Sequence, residues 1–114
     1  QNAKQGIWLI YSEGNKEIGH CNAIYIDQKK VSWSFYIGEK NISPGCGVRM
    51  LVFFLKKLFF EEGISKIEAK IILDNQKSKK IHEDFGFILQ STNNNFENYF
   101  LTKDFFKKRY YSNI

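Results

Sequence analysis

Three groups of residues in this 114-residue chain have the types and spacing to do chemistry. The first is the turn Gly45-Cys46-Gly47, with Val48 and Arg49 following it. A glycine turn that opens a helix leaves backbone N–H groups pointing outward at the positive end of the helix dipole, which is a seat for phosphate. The same glycines also fit an ordinary strand–turn–helix, so this pattern alone leaves both readings open. The second group is Asn75, Ser78 and His82. At roughly 100° per residue these three fall on one narrow helical stripe, with Ile81 and Phe85 beside it. Asn75 suits a helix N-cap as well as a ligand contact. His82 has the chemistry to give a proton near neutral pH, and it equally fits a ring that flanks a core and is satisfied by a backbone carbonyl. The third group is aromatic: Trp33, Phe35 and Tyr36 suit a pocket wall that stacks on a ring, or a core.

The elements that must position these groups follow from periodicity. Val31, Trp33, Phe35 and Ile37 alternate with Ser32, Ser34, Tyr36 and Gly38, which is the period of a strand. Pro44 punctuates the loop after it, and an apolar helix is expected from Val48 to Glu62, stopped by Gly63. Ile67–Leu73 reads as the next strand, followed by Asp74-Asn75 and a short helix that Gly86 ends. Upstream, Ile7–Tyr11, Ile18–Ile26 and the Val31 strand are joined by turns at Glu13–Lys16 and Asp27–Lys30, an antiparallel meander. Gly19 inside the second strand marks a bulge or a close approach. Phe87–Gln90 and Asn98–Thr102 form a closing hairpin through the polar Ser91–Asn95. Lys103, Lys107, Lys108 and Arg109 are expected in a solvated tail. The fold class is α+β with a central mixed sheet, and 114 residues make one domain.

Eleven Phe, six Tyr and two Trp supply much of the core and exclude a disordered chain. The formal charge of +5 invites a nucleic-acid reading. The lysines are scattered over turns and exposed helix faces without a recognition motif, so no nucleic-acid partner is expected. No apolar run approaches the roughly 20 residues of a membrane helix, and none is expected to meet a membrane. Cys21 and Cys46 form neither a disulfide framework nor a metal motif, which suits a reducing cytoplasm.

Strand, Gly-x-Gly, long helix, strand, Asn, short helix and Gly-Phe, in that order, resemble the Gcn5-related N-acetyltransferase (GNAT) superfamily. The resemblance runs from about Ile7 to Thr102. Within that superfamily, the segments WSFYIGEK, GCG and KIHEDFGF look most like the amino-sugar nucleotide acetyltransferases of bacterial pseudaminic-acid synthesis. The resemblance implies an N-acetyltransferase that moves an acetyl group from acetyl-coenzyme A to a primary amine, with a nucleotide-linked amino sugar as the favoured acceptor. A protein N-terminus, a polyamine, or a coenzyme A-binding domain without catalysis are the alternatives. It also implies a first strand and two helices upstream of this chain, so a fragment that self-associates through uncovered sheet is expected.

By the same resemblance, the backbone N–H groups of Gly45, Cys46, Gly47, Val48 and Arg49 surround the cofactor phosphates. Ile42 stands where the family usually has Gln or Arg. The strand end at Tyr36, Ile37 and Gly38 pairs with the pantetheine arm, and a backbone N–H there is the expected oxyanion donor. Asn75 contacts the cofactor, and Ser78 lets it approach the helix. His82 replaces the usual tyrosine as the acid that protonates the leaving thiolate. Glu39, Glu17 and His20 are polar groups near strand ends that fit a general base or a solvated surface.

Overall fold

The computed structural model describes residues 5–38 and 45–112. Six strands form one sheet in the order β1-β2-β3-β4-β6-β5. Their ranges are β1 Gly6–Glu13, β2 Lys16–Tyr25, β3 Lys30–Ile37, β4 Lys66–Ile72, β5 Ile88–Thr92 and β6 Phe96–Thr102. The helices are α1 Cys46–Lys56, α2 Gln76–Phe85 and α3 Lys103–Ser112. All neighbours are antiparallel except β3 and β4, which the α1 crossover makes parallel.

The core lies between α1 and one face of the sheet. Met50, Leu51, Phe54 and Leu55 of α1, with Leu58 and Phe59 beyond it, are buried against Cys21, Ala23, Val31, Trp33, Ile67 and Leu101. The alternation read in β3 sends Val31 and Trp33 into this core and leaves Ser34 and Tyr36 exposed. Burial lifts the Cys21 thiol to about 12, which makes it a small apolar filler rather than a nucleophile.

Three expectations change. The long helix starts at Cys46 rather than Val48, and it loosens into a π-helical turn at Lys57–Glu61, where the Glu62 N–H reaches back to the Lys57 carbonyl. The closing hairpin is longer, with an Asx turn in which the Asn93 side chain accepts from the Asn95 and Phe96 N–H groups. The basic C-terminal stretch is α3, not a tail. Phe106 is buried against Phe59 and Phe60, and Tyr110 stacks on Phe106 at a ring separation of 6.0 Å. Basic residues between these aromatics hid a helical apolar stripe.

Candidate active site

Strand pairing between β3 and β4 is brief. Lys30–Ser32 pairs with Lys66–Glu68, and beyond that the strands part. The gap is a pocket of about 610 Å³ walled by Trp33 to Gly38 on one side, Ala69 and Lys70 at its base, and Asn75, Lys77, Ser78, Ile81 and His82 of the α2 region opposite. The edge of β3 facing the gap therefore carries backbone groups with no strand beside them.

The trans peptide decides which groups those are. Gly19 packs so close to β3 that a Cβ there would run into the Tyr36 carbonyl oxygen, so that carbonyl points toward β2. The Gly38 N–H also turns to β2, donating to the Ile18 carbonyl at 2.8 Å. Across a trans peptide C=O and N–H point opposite ways, so the N–H and C=O of Ile37 both face the gap. Strand alternation gives the Phe35 backbone the same direction. Of the three residues expected to pair with an extended arm, Ile37 alone aims its own amide there. The correction is one of register: Phe35 and Ile37 supply the edge, while Tyr36 and Gly38 line it. Period 2 was legible in the sequence, but which parity faces β2 was not.

At the far end of β3 lies the N-terminus of α1. Gly45 is its N-cap, at φ 87°, and among the described residues no side chain caps the first turn. Gly47 makes the junction: a Cβ there would meet Ile37 Cδ1 at 2.9 Å. The open N–H groups of Cys46, Gly47 and Val48 thus adjoin the Ile37 edge, one anion-seeking end and one extended wall. Arg49 does not belong with them. Its N–H closes the first helical bond to the Gly45 carbonyl at 3.0 Å. Its side chain grips Glu13 of β1 with bonds of 2.7 and 2.8 Å, and Tyr11 donates to the same carboxylate at 2.7 Å. The Arg49 hydrogen bonds, then Tyr11, hold the Glu13 carboxyl down at about 2.

On the α2 side, the Asn75 side chain caps the helix by accepting from the Ser78 N–H at 3.0 Å, and both residues line the pocket. His82 is 3% exposed. The Trp33 indole N–H donates to its Nε2 at 3.0 Å, and its Nδ1–H donates to the Ser78 carbonyl at 2.7 Å. Burial pulls its pKa below the ordinary value, opposed by the Ser78 carbonyl. The ring expected to protonate a thiolate therefore has both nitrogens engaged inside the protein. Tyr99, in contact with that ring at 6.4 Å, is pushed to about 12 by burial and by its bond to Glu97.

Sequence reasoning missed Lys70 and Lys77. The first falls on an alternating strand and the second in a short helix, and only the gap brings them together. Of the base candidates, His20 is an exposed ring stacked on Tyr36 at 5.3 Å, Glu17 is exposed, and Glu39 lies outside the described residues, as does Ile42 at the position where the family has Gln or Arg. Among the described residues no group of three or more His, Cys, Asp or Glu side chains could hold a metal ion, and no helix is long and apolar enough to cross a membrane.

Solved structures with this fold include two kinds of N-acetyltransferase. Campylobacter jejuni N-acetyltransferase PseH superposes with a TM-score of 0.77 at 16% identity, over 85% of this chain and 67% of that one. The same protein in complex with acetyl coenzyme A gives 0.76. An F149G mutant of Vibrio cholerae spermidine N-acetyltransferase SpeG gives 0.82 at 16% identity, over 96% and 70%. No curated protein matches the sequence. A family profile described as an acetyltransferase (GNAT) domain matches residues 2–103. With a sheet splayed between β3 and β4 beside an open helix N-terminus, the chain belongs to the GNAT family of acetyltransferase domains, whose acetyl group comes from acetyl-coenzyme A.

Proposed function

We propose that this domain transfers the acetyl group of acetyl-coenzyme A to the primary amine of an anionic small molecule, with a nucleotide-linked amino sugar as the favoured acceptor. The fit to the cofactor rests on the continuous path from the α1 N-terminus to the gap. In this reading the N–H groups of Cys46, Gly47 and Val48 hold the phosphates, and the Phe35 and Ile37 edge pairs with the amide arm as an added strand would. Asn75 and Ser78 border the arm from α2. The bound thioester supplies an activated acetyl group. The backbone N–H of Phe35 or Ile37 stabilises charge developing on its oxygen, because a fixed dipole in a sheltered gap needs no reorganisation. The Trp33, Phe35 and Ile37 wall excludes water from that side.

One observation carries the acceptor class. The described pocket lining holds two lysines, Lys70 and Lys77, and no carboxylate. A polyamine brings several positive charges and would meet like charge there, whereas a phosphate-bearing acceptor meets opposite charge. Structural likeness does not decide this, since PseH and SpeG both share the fold at only 16% identity, with TM-scores of 0.77 and 0.82.

The test is an acetylation assay with a uridine diphosphate-linked amino sugar, spermidine and a peptide N-terminus as separate acceptors. The sugar nucleotide should give the highest kcat/KM. An exposed ion pair is worth about 0.2–1 kcal/mol, so Lys70→Gln with Lys77→Gln should raise its KM about 2- to 30-fold. Preference for spermidine in the same assay would overturn the anionic reading.

A further inference from the structure

We infer that His82 is a positioning residue, a hydrogen-bonded strut between α2 and β3 that sets the width of the acyl pocket, and not the proton donor to the thiolate. The inference rests on the pocket being the acetyl-coenzyme A site, but its geometry stands by itself. Beyond Ser32 and Glu68 no strand pairing holds β3 to β4. The two walls of the gap, Trp33 to Ile37 and Asn75 to His82, need another tie. Among the described residues, the Trp33–His82 bond is the side-chain hydrogen bond that crosses between them.

The chain of bonds runs in one direction. The Trp33 N–H donates to His82 Nε2, His82 Nδ1–H donates to the Ser78 carbonyl, and the Ser78 N–H donates to the Asn75 side chain. Trp donates only, so Nε2 must carry a lone pair. The Ser78 carbonyl, at 2.7 Å, accepts only, so Nδ1 must carry the proton, and the Ser78 hydroxyl, a longer 3.4 Å from the same nitrogen, is left to accept as well. Those two partners fix a neutral ring in a single tautomer. A second proton on Nε2 would face the indole N–H, donor against donor. The imidazole therefore holds one proton, and that proton is bonded to backbone.

Packing locks the same orientation. Phe35 lies nearly parallel to the ring at 5.6 Å, Phe87 meets it edge-on at 4.8 Å, and Trp33 edge-on at 5.7 Å. Tyr99 is the titratable side chain in ring contact, and its hydroxyl is turned to Glu97. Among the described residues no charged group acts on the imidazole to favour its charged form. Because Phe35 stacks on His82, the strut also braces the backbone that faces the gap.

Glutamine separates a strut from an acid. Its amide oxygen can accept from the indole and its NH2 can donate to the Ser78 carbonyl, yet it cannot act as a general acid. The strut predicts that His82→Gln keeps kcat within about threefold of wild type. It predicts that His82→Leu, which orphans the indole N–H, lowers acetyl-coenzyme A affinity at least tenfold by calorimetry. An acid predicts a loss of about 10²–10⁴-fold in kcat for both variants with affinity unchanged, and that result would overturn the strut. A ¹⁵N NMR titration of the imidazole needs no acceptor and so holds even if the proposed activity fails. The strut requires an Nδ1–H tautomer that titrates below the ordinary imidazole range in wild type, and a ring that titrates higher once Trp33→Phe frees Nε2. An Nε2–H tautomer, or protonation of the wild-type ring near 6.5, would overturn it.

Discussion

At the scale of single residues, Gly47 bears the tightest geometric demand in the proposed cofactor path. It lets the open turn of α1 lie against Ile37, the residue whose amide faces the gap. A valine there would collide with Ile37 Cδ1 and push the phosphate-seeking N–H groups away from the β3 edge. Gly47→Val should abolish coenzyme A binding by calorimetry while the far-UV spectrum stays native. Adding Ile37→Ala should restore part of the affinity by removing the collision. Normal binding by the single variant would mean that the α1 turn does not hold the phosphates. Val48, 57% exposed at the same turn, is the control site at which alanine should change nothing.

At the scale of elements, Glu13 ties β1 to the first turn of α1. Its carboxylate takes both Arg49 bonds, the Tyr11 hydroxyl and the Cys46 thiol at 3.3 Å, all within one site. Folding lowers its pKa from 4.5 to about 2. A depressed carboxyl contributes stability that is fully present above its unfolded value and is lost as pH falls through the folded one. The window is therefore from about 4.5 down to about 2. Glu13→Gln should flatten the fall of thermal stability across that window and lower Tm at neutral pH. An acid limb as steep as in wild type would show that the tie does not survive in solution. The Arg49 guanidinium carries this role as a side chain, which explains why it is turned to β1 while its neighbours' N–H groups remain open.

At the scale of the whole molecule, one face of the sheet at the β1 end has no helix over it among the described residues. Trp8 and Ile10 are 63% and 70% exposed, and the register sets Ile10 beside His20 and His20 beside Tyr36, so the exposed side chains form one row. Exposed apolar surface on an edge strand favours association. Light scattering of this chain should show self-association at high concentration, reduced by Trp8→Ser with Ile10→Thr. A monomer unaffected by those changes would remove the face from consideration.

The sequence by itself determined the order of elements from β1 to β6, the alternation in β3, the amphipathic α1 and the stripe shared by Asn75, Ser78 and His82. Each of these is a local period, and a local period is written in neighbouring residues. What the tertiary structure decided was long-range. Which parity of β3 faces β2 is set by strand pairing, and it kept the expected Ile37 amide at the gap, turned those of Tyr36 and Gly38 to β2, and added Phe35. The Arg49 side chain was claimed by Glu13, 36 residues earlier in the chain. The His82 ring was claimed by Trp33, 49 residues away, which turned a group with the chemistry of an acid into one with both nitrogens bonded inside the fold. Lys70 and Lys77 became pocket residues only because β3 and β4 part after three paired positions. A side chain's chemistry is fixed by its type, but its free valences are fixed by its partners, and those partners meet only when the chain folds.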